Sequence, residues 1–147
     1  MATILLCTLN ARHAHASLGL RYLLANLGPL AQRAALLEFT IQRPIAEVVE
    51  AILEHAPQIV GFGVYIWNVE ETTRVVAMLK RVAPEITIVL GGPEVSHETE
   101  EQAIVSLADY VITGWGEVSF RRLCEELIQG NVPTKKIIAG EEPPLSA

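Results

Sequence analysis

Five short stretches of the chain consist almost entirely of apolar residues, and helical patterns separate them. A strand with one exposed face alternates apolar and polar residues, whereas a strand covered on both faces is apolar throughout. The pattern therefore predicts five strands buried inside a sheet. The stretches are Thr3–Leu9, Arg33–Phe39, Gln58–Val64, Ile86–Leu90 and Asp109–Thr113.

The segments between these strands carry the spacing of amphipathic helices, with apolar residues three or four positions apart. The clearest stripe lies in Ile45–Ala56. A third helix is predicted after Asn68, which stands at the N-cap position with Glu71 three residues later, and Pro84 ends it. Two more helices are predicted at Ser17–Leu27 and Glu98–Leu107. The last helix is predicted from an apolar stripe formed by Phe120, Leu123, Cys124, Leu127 and Ile128.

Strands and helices that alternate in this way form a parallel sheet with right-handed crossovers. The predicted fold is α/β, a Rossmann-like or flavodoxin-like doubly wound parallel five-stranded sheet of order 2-1-3-4-5, with helices on both faces. This domain is expected to occupy residues 1–130. Residues 131–147 are expected to add an edge strand at "KKIIAG" and the start of a linker at "EEPPLSA".

The composition narrows the class of protein. The chain has 147 residues, a net charge of −6 and no basic stripe, so nucleic acid is not an expected partner. No stretch approaches the ~20 apolar residues of a membrane span, and a cytoplasmic protein without a membrane partner is expected. Cys7 and Cys124 lie in apolar patterns, which predicts two buried, reduced thiols rather than a zinc or iron–sulfur site.

The loops at the two ends of the predicted sheet differ in composition. The loops after the strands are "NARHAHAS", "TIQRP", "YIWN", "GGPEVS" and "GWGE", and four of the five are rich in Gly, His, Trp or Asn. The loops at the opposite end, "LGPLAQ", "EHAP", "VAPE" and "SLA", are plain. Ligands of open α/β sheets bind at the carboxyl ends of the strands, so the contrast predicts a ligand site there.

Several residues in these loops have both a structural and a ligand-binding interpretation. Gly91-Gly92 suits a tight turn, and it equally suits the close approach of a large ligand to the backbone. Glu117 suits a helix start, where the helix dipole favours an acid. Trp115 between two glycines indicates a ligand or domain contact. Core packing is expected to account for one of Tyr65 and Trp67 but not for both.

The two histidines of "ARHAHAS" raise the question of a metal site. A histidine in a loop is more often a hydrogen-bonding residue than a ligand, and no Asp, Glu or Cys lies near His13 and His15 in sequence. Glu94 and His97 would have to approach from the loop after the fourth strand to complete a two-His–one-carboxylate set. Both interpretations stay open at this point.

The sequence argues against several common functions of doubly wound domains. It contains no G-x-G-x-x-G after the first strand and no G-x-x-x-x-G-K-[ST], the motifs of nicotinamide cofactors and of P-loop proteins. "GVYIWN" and "TGWGE" stand where a receiver domain carries its acid and its lysine. No Ser/Thr-rich loop for the phosphate of a flavin mononucleotide follows the first strand.

Four segments, in the right order, resemble one known family. "TLNARHAHASLGLRYLLANL", "VGFGVYIWNVEET", "IVLGGPEVS" and "DYVITGWGEVSFRRLCEEL" resemble the N-terminal cobalamin-binding-like domain of B12-dependent radical SAM proteins, over about Thr3–Ile128. The resemblance implies cobalamin as cofactor. It also implies a radical SAM barrel in the same longer chain, which would hold S-adenosylmethionine and a [4Fe–4S] cluster on a CxxxCxxC motif that this sequence lacks.

The resembling segments depart from the better-known B12 domains of mutases and methionine synthase. Neither His13 nor His15 stands in the Asp-x-His-x-x-Gly motif that supplies a cobalt ligand there, and "GVY" at positions 63–65 replaces the Ser-x-Leu motif. The Gly91-Gly92 pair is kept. The two histidines are therefore expected to contact a corrin side chain, the substrate or the barrel rather than cobalt.

The resemblance implies that this chain binds the cofactor and that the longer protein is a methyltransferase or an oxidative cyclase of the magnesium-protoporphyrin ester type. No residue of this chain is expected to be catalytic or to ligate a metal. The residues expected to bind the cofactor are Asn10, His15, Ser17, Gly63, Tyr65, Trp67, Asn68, Gly91, Gly92, Pro93, Glu94, Gly114, Trp115, Gly116 and Glu117.

Two other classes of function stay open. The high apolar content and the missing cobalt-ligand motif also suit a cofactor-free structural domain that docks the barrel. The other alternative is a flavodoxin-like domain that binds another small ligand, or a metal through His13, His15, Glu94 and His97. An apolar face without its barrel would favour a homodimer of the isolated domain.

Overall fold

The computed structural model of the chain describes residues 2–11, 18–96, 102–114 and 116–140. All five predicted strands are present, each within one residue of its predicted bounds, and the expected edge strand forms a sixth. Their largely apolar sequences suit strands that helices cover on both faces. The strands are β1 (Ile4–Asn10), β2 (Ala34–Thr40), β3 (Ile59–Gly63), β4 (Thr87–Gly91), β5 (Tyr110–Thr113) and β6 (Ile137–Ala139).

Helices connect the strands, as the apolar spacing predicts. The helix whose apolar stripe starts at Phe120 begins at Glu117, in agreement with the interpretation of that acid as a helix start. The helix predicted to end at Leu27 ends at Ala25. Residues 98–101 of the fourth predicted helix lie outside the described residues. The helices are α1 (Leu18–Ala25), α2 (Ile45–Glu54), α3 (Val69–Val82), α4 (Ala103–Leu107) and α5 (Glu117–Ile128), with short 3₁₀ helices at Gly28–Arg33 and Pro93–Ser96.

The strands form one parallel sheet in the order β2-β1-β3-β4-β5-β6. This order confirms the predicted 2-1-3-4-5 arrangement and adds β6 beside β5. Because β1 lies between β2 and β3, the connections that follow β1 and β3 run towards opposite edges of the sheet. The divergence opens a crevice at the carboxyl ends of these two strands, where doubly wound folds bind ligands.

The sheet separates two apolar cores. Helices α2, α3 and α4 cover what we call the α2/α3/α4 face, and helices α1 and α5 cover the α1/α5 face. Alternate residues of a strand point to opposite faces. In β3, Val60 and Phe62 therefore enter the core of the α2/α3/α4 face, whereas Ile59, Gly61 and Gly63 face α1 and α5.

The amino ends of β4 and β5 are joined by a structural network. The Nζ atom of Lys80 donates hydrogen bonds to the carbonyl oxygens of Pro84 and Ile86 and to Oδ2 of Asp109, which lies 2.9 Å away. The same carboxylate oxygen accepts the backbone N–H of Ile88 at 2.8 Å. At the amino end of the sheet, the side chains of Lys80 and Asp109 therefore connect neighbouring segments of the fold.

Two expectations from composition can be compared with the structure. Cys7 and Cys124 are buried free thiols, as predicted, and the sheet separates them because they lie in opposite cores. Burial raises the pKa of both thiols, and together with a smaller effect of Glu125 it raises the pKa of Cys124 to about 12. Within the described segments, no helix is long and apolar enough to cross a bilayer.

Candidate functional site

A pocket opens at the carboxyl edge of the sheet, on the α1/α5 face, with a volume of about 500 Å³. We call it the glycine pocket, because seven glycines contribute to its wall. Its volume lies within the range of pockets that hold a small ligand or a large group of a bigger one. The lining residues are Leu6, Gly19, Leu20, Leu23, Gly61, Phe62, Gly63, Tyr65, Val89, Leu90, Gly91, Gly92, Pro93, Ser96, Ile112, Gly114, Gly116, Glu117 and Phe120.

Three glycines leave the sheet side of the pocket without side chains. Gly61 and Gly63 lie two residues apart in β3, and Gly91 pairs with Gly63 from β4, so all three face α1 and α5. A Cβ atom on Gly91 would have no neighbour closer than 3.9 Å. A Cβ atom on Gly61 would come within 3.1 Å of Leu6 and 3.3 Å of Phe120. A side chain at Gly91 would therefore extend into the pocket, whereas Gly61 lets Leu6 and Phe120 pack closely against the strand.

Gly91 and Gly92 are glycines for different structural reasons. Gly92 has a φ of +109°, and a Cβ atom there would lie 2.5 Å from the carbonyl oxygen of Val64. The chain passes directly against the end of β3, where the Val64 N–H donates to the Gly91 carbonyl at 2.8 Å. A tight crossing therefore explains Gly92, whereas Gly91 faces the open pocket.

Asn68 joins the ends of β1 and β3 from a fully buried position. Its Nδ2 atom donates to the carbonyl oxygens of Leu9 at 3.0 Å and Gly63 at 3.2 Å, and its Oδ1 atom accepts the N–H of Tyr65 at 2.9 Å. Asn68 does stand at the N-cap of α3, but its side chain forms no capping hydrogen bond, so the predicted capping box is wrong. The buried backbone groups at the crevice need hydrogen-bond partners. The Asn68 amide bonds to them instead of to the first turn of α3.

Tyr65 and Trp67 form a stacked aromatic pair at the same edge of the sheet. Their ring centroids are 4.5 Å apart and their planes are 8° from parallel. Tyr65 lines the glycine pocket, and its ring lies 3.3 Å from where a Cβ atom of Gly63 would stand. Trp67 is 49% exposed, which agrees with the expectation that core packing does not account for both residues.

The loops after β4 and β5 form another wall of the pocket. The Oγ atom of Ser96 donates to the carbonyl of Gly92 at 2.9 Å and accepts the N–H of Gly114 at 3.2 Å, which joins the two loops. Glu117, the first residue of α5, contributes to the same wall. Its Oε2 atom is buried, and no group in the described part of the chain donates a hydrogen bond to it.

The glycine pocket brings together many of the residues predicted to bind a cofactor. Asn10, Trp67, Asn68 and Glu94 lie at the same edge of the sheet but are not part of the pocket wall. The predicted residues that line the pocket are Gly63, Tyr65, Gly91, Gly92, Pro93, Gly114, Gly116 and Glu117. The predicted residues His15, Ser17 and Trp115 lie outside the described residues, as do His13 and His97.

The sequence analysis missed the deeper part of the pocket. Gly61 carried a usable signal, because a glycine inside an apolar strand marks the close approach of another group. Ser96 carried no signal in the sequence, because it connects the loops after β4 and β5 and this contact depends on the tertiary structure. The other missed residues are apolar and resemble ordinary core in sequence, namely Gly19, Leu6, Leu20, Leu23, Phe62, Val89, Leu90, Ile112 and Phe120.

The metal alternative gains no support from the described part of the chain. Residues 2–11, 18–96, 102–114 and 116–140 contain no group of three His, Cys, Asp or Glu side chains placed to hold a metal ion. Of the four residues considered for that site, the structure describes only Glu94. A metal site with the three histidines therefore stays a prediction.

The fold and the pocket are those of a doubly wound α/β domain with an open pocket at the carboxyl edge of its sheet. A family model described as "B12 binding domain" matches residues 4–124. The match covers most of the chain and includes all the strands that form the glycine pocket. The chain belongs to the B12-binding domain family, and cobalamin is the cofactor of its class.

Two known proteins are similar to this chain. TokK, a cobalamin-dependent radical SAM methyltransferase from Streptomyces tokunonensis, is 31% identical over 84 residues, which cover 54% of this chain and 12% of TokK. The crystal structure of a cobalamin-binding protein from Desulfitobacterium hafniense DCB-2 has a TM-score of 0.61 and 19% identity, covering 85% of this chain and 58% of that one. The second likeness shows the fold alone.

Proposed function

We propose that this chain is the cobalamin-binding module of a radical SAM enzyme, and that the glycine pocket receives the nucleotide tail of the cofactor. The observation that carries the proposal is the placement of Gly61, Gly63 and Gly91 on one face of two paired strands. These three positions of the sheet carry no side chain. They lie towards the carboxyl edge, where we expect the cofactor of this family to enter.

The residues present fit such a tail. From Gly63 down to Gly61 the pocket extends about 7 Å along β3, at about 3.3 Å per residue. Its inner wall is apolar, with Leu6, Val89 and Phe120 around the glycines. An apolar slot of about 500 Å³ suits a flat base, whereas a corrin ring is larger and would lie at the open edge.

The chain's own residues would bind and orient the cofactor. Gly63 and Gly91 would seat it against the backbone, and Tyr65 would close one wall of the slot. Asn68 would keep the loop of Tyr65 in place through its three hydrogen bonds. When bound, cobalamin supplies a cobalt centre suited to methyl transfer, and the protein supplies position and the exclusion of water.

The longer protein is proposed to be a methyltransferase, with an oxidative cyclase as the alternative reaction. The likeness to TokK supports the first, because TokK is a cobalamin-dependent radical SAM methyltransferase and is far longer than the 12% of it that aligns. S-adenosylmethionine and the [4Fe–4S] cluster would belong to a barrel elsewhere in the longer chain. A cytoplasmic location and the homodimer of the isolated domain stay predictions.

A visible-absorption titration with hydroxocobalamin tests the proposal. We expect the spectrum to shift on addition of the protein and the colour to travel with the protein on gel filtration. Bovine serum albumin at the same concentration controls for nonspecific adsorption of the corrin. Colour that elutes entirely with the salt would contradict cobalamin binding by this chain and would favour the cofactor-free docking domain.

A further inference from the structure

Large apolar side chains of α2 and α3 are exposed on the face of the sheet opposite to the glycine pocket. Leu53, in the last turn of α2, is 37% exposed, and Met78 and Val82 of α3 are 37% and 56% exposed. Single exposed apolar residues are ordinary on a protein surface, whereas several that lie together mark an interaction site. The rotation of the two helices decides which case applies.

The position of Lys80 shows how α3 is rotated. Lys80 directly follows the buried Leu79, and its Nζ atom lies 2.9 Å from Oδ2 of Asp109, beside β5. The flank of α3 that follows the buried stripe therefore faces β5 and α4. Met78 directly precedes Leu79, and Val82 stands four residues after Met78. Both therefore lie on the opposite flank of α3, which faces α2.

Leu53 lies on the flank of α2 that faces α3. Both helices run from the carboxyl edge of the sheet to its amino edge on the same face, and they pack against each other. Leu53 directly follows the buried Ile52, so it occupies the flank that corresponds to the Lys80 flank of α3. Leu53, Met78 and Val82 therefore border one groove near the amino edge, which we call the α2/α3 groove.

The two helices that border the groove carry opposite charges. α2 contains three glutamates and no basic residue, whereas the last 11 residues of α3 contain three basic residues and no acid. Of these charged side chains, Glu50, Glu54 and Arg81 are exposed and form no ion pair with any residue that the structure describes. Glu54 and Arg81 both stand in the last turn of their helices, so they lie at the same level beside the groove.

The acids of α2 are placed unfavourably for an isolated helix. Glu50 and Glu54 stand four residues apart, where like charges repel each other. Glu54 also lies at the helix C-terminus, where the helix dipole favours a cation, and the last turn of α2 has no basic residue. A cation from a partner, placed beside Glu54, would relieve both effects.

A second copy of the chain has such a cation at the matching level. A two-fold axis that runs along the groove, parallel to the helices, places α2 of one protomer against α3 of its partner. Residues keep their level along the axis, so Leu53 meets Val82 of the second copy and Glu54 meets its Arg81. Each contact occurs twice, because a two-fold interface is formed by the same surface on both copies.

We propose that the α2/α3 groove is the interface of a homodimer, in which the apolar side chains of the two copies pack together and Glu54 of each copy pairs with Arg81 of the other. The surface lies on the other side of the sheet from the glycine pocket, so the inference is independent of the proposed function. Helices α2 and α3 are about 15 and 21 Å long, and such a face is at the low end for a specific interface. The dimer is therefore expected to dissociate in the micromolar range.

Sedimentation velocity tests the proposal over protein concentrations from about 1 to about 200 μM, which bracket a micromolar dissociation constant. Glu54→Arg and Arg81→Glu each place like charges at both contacts, so each is expected to raise the dissociation constant about tenfold or more. An equimolar mixture of the two variants is expected to dimerise like the wild type, because the heterodimer has opposite charges at both contacts. A merely structural role of either residue predicts no such recovery.

Matched controls change the other face of the sheet. Leu53→Ser removes an apolar side chain from the groove and is expected to raise the dissociation constant about tenfold. Tyr22→Ser removes an exposed apolar side chain from α1, and Glu125→Arg reverses a charge on α5. Both controls are expected to dimerise within about twofold of the wild type. Thermal unfolding checks that each variant is folded.

Several outcomes would overturn the proposal. A wild-type chain that stays monomeric at about 200 μM has no such interface. Wild-type dimerisation in Glu54→Arg and Leu53→Ser, or weakened dimerisation in the Tyr22→Ser or Glu125→Arg controls, places the contact on another surface. A mixture of Glu54→Arg and Arg81→Glu that stays monomeric shows that these residues do not pair across the two-fold axis.

Discussion

The two faces of the sheet use the same strands for different purposes. On the α2/α3/α4 face, alternate residues of β3 and β4 are large and apolar, and Val60, Phe62, Ile88 and Leu90 are all buried. On the α1/α5 face, the positions between them lose their side chains towards the carboxyl edge. One face is a closed core and the other is a core that opens into a pocket.

The difference shows that a few glycine positions are enough to open a pocket in a core. In "IVGFGV", residues 59–64, the residues at even positions fill one core, while the glycines at odd positions open the other. Because side chains alternate with a period of two, a ligand can approach the backbone from one face without disturbing the packing on the other. Binding and stability are then expected to respond to different positions of one strand.

The largest expected effect comes from the closed face. Ile88→Ala in β4 should lower the free energy of unfolding by about 2–5 kcal/mol, because the removed atoms leave a cavity in a close-packed core. Chemical denaturation measures the change. Hydroxocobalamin affinity of the folded fraction should stay at the wild-type value, and a parallel loss of affinity would show that the two faces are not independent.

Asn68 joins the ends of β1 and β3 beside the glycine pocket. The change Asn68→Asp should lower the free energy of unfolding by about 3 kcal/mol. Aspartate keeps an acceptor for the N–H of Tyr65, but it cannot donate to the buried carbonyls of Leu9 and Gly63. We also expect weaker hydroxocobalamin binding, since Tyr65 leaves its place in the pocket wall. Wild-type stability in this variant, measured by denaturation, would disprove the role assigned to the amide.

Gly91→Leu tests the open face and should weaken hydroxocobalamin binding about a hundredfold, because the side chain fills the slot. The free energy of unfolding should be unchanged or slightly higher, since a Cβ atom there meets nothing within 3.9 Å and the unfolded chain loses freedom. The neighbouring change Gly92→Ala is the control, and it should destabilise the fold through its positive φ and its clash with Val64. Binding within threefold of wild type in Gly91→Leu would move the site away from this pocket.

The effect that is smallest at neutral pH concerns the two thiols, one in each core. Burial raises the pKa of Cys7 and Cys124 above the ordinary value of 9.0, for Cys124 to about 12. The unfolded chain therefore loses these protons first, and the free energy of unfolding should fall as pH rises from about 9 towards 12. Cys124→Ala should reduce this slope in alkaline denaturation curves. Rapid reaction of native Cys124 with a thiol reagent at pH 8 would contradict its burial.

Much of the fold followed from local pattern. The five apolar runs marked the strands to within one residue, because a strand covered on both faces has a sequence signature of its own. The enriched loops marked the carboxyl edge, where the glycine pocket opens. Glycines at 63, 91 and 92 were expected there, but the deeper Gly61 and the neighbours around it were not, since apolar wall and apolar core look alike in sequence.

The sequence by itself determined the strand order, the edge at which the glycine pocket opens and the cofactor family, because these depend on element type and on local motifs. Only the tertiary structure decided which face opens, that Gly91 serves the pocket while Gly92 serves the backbone crossing, and that the Asn68 amide bonds Leu9, 59 positions away. It also decided that the Glu117 oxygen is buried without a donor among the described residues. These features arise from strand register and from the meeting of distant loops, neither of which a local pattern encodes.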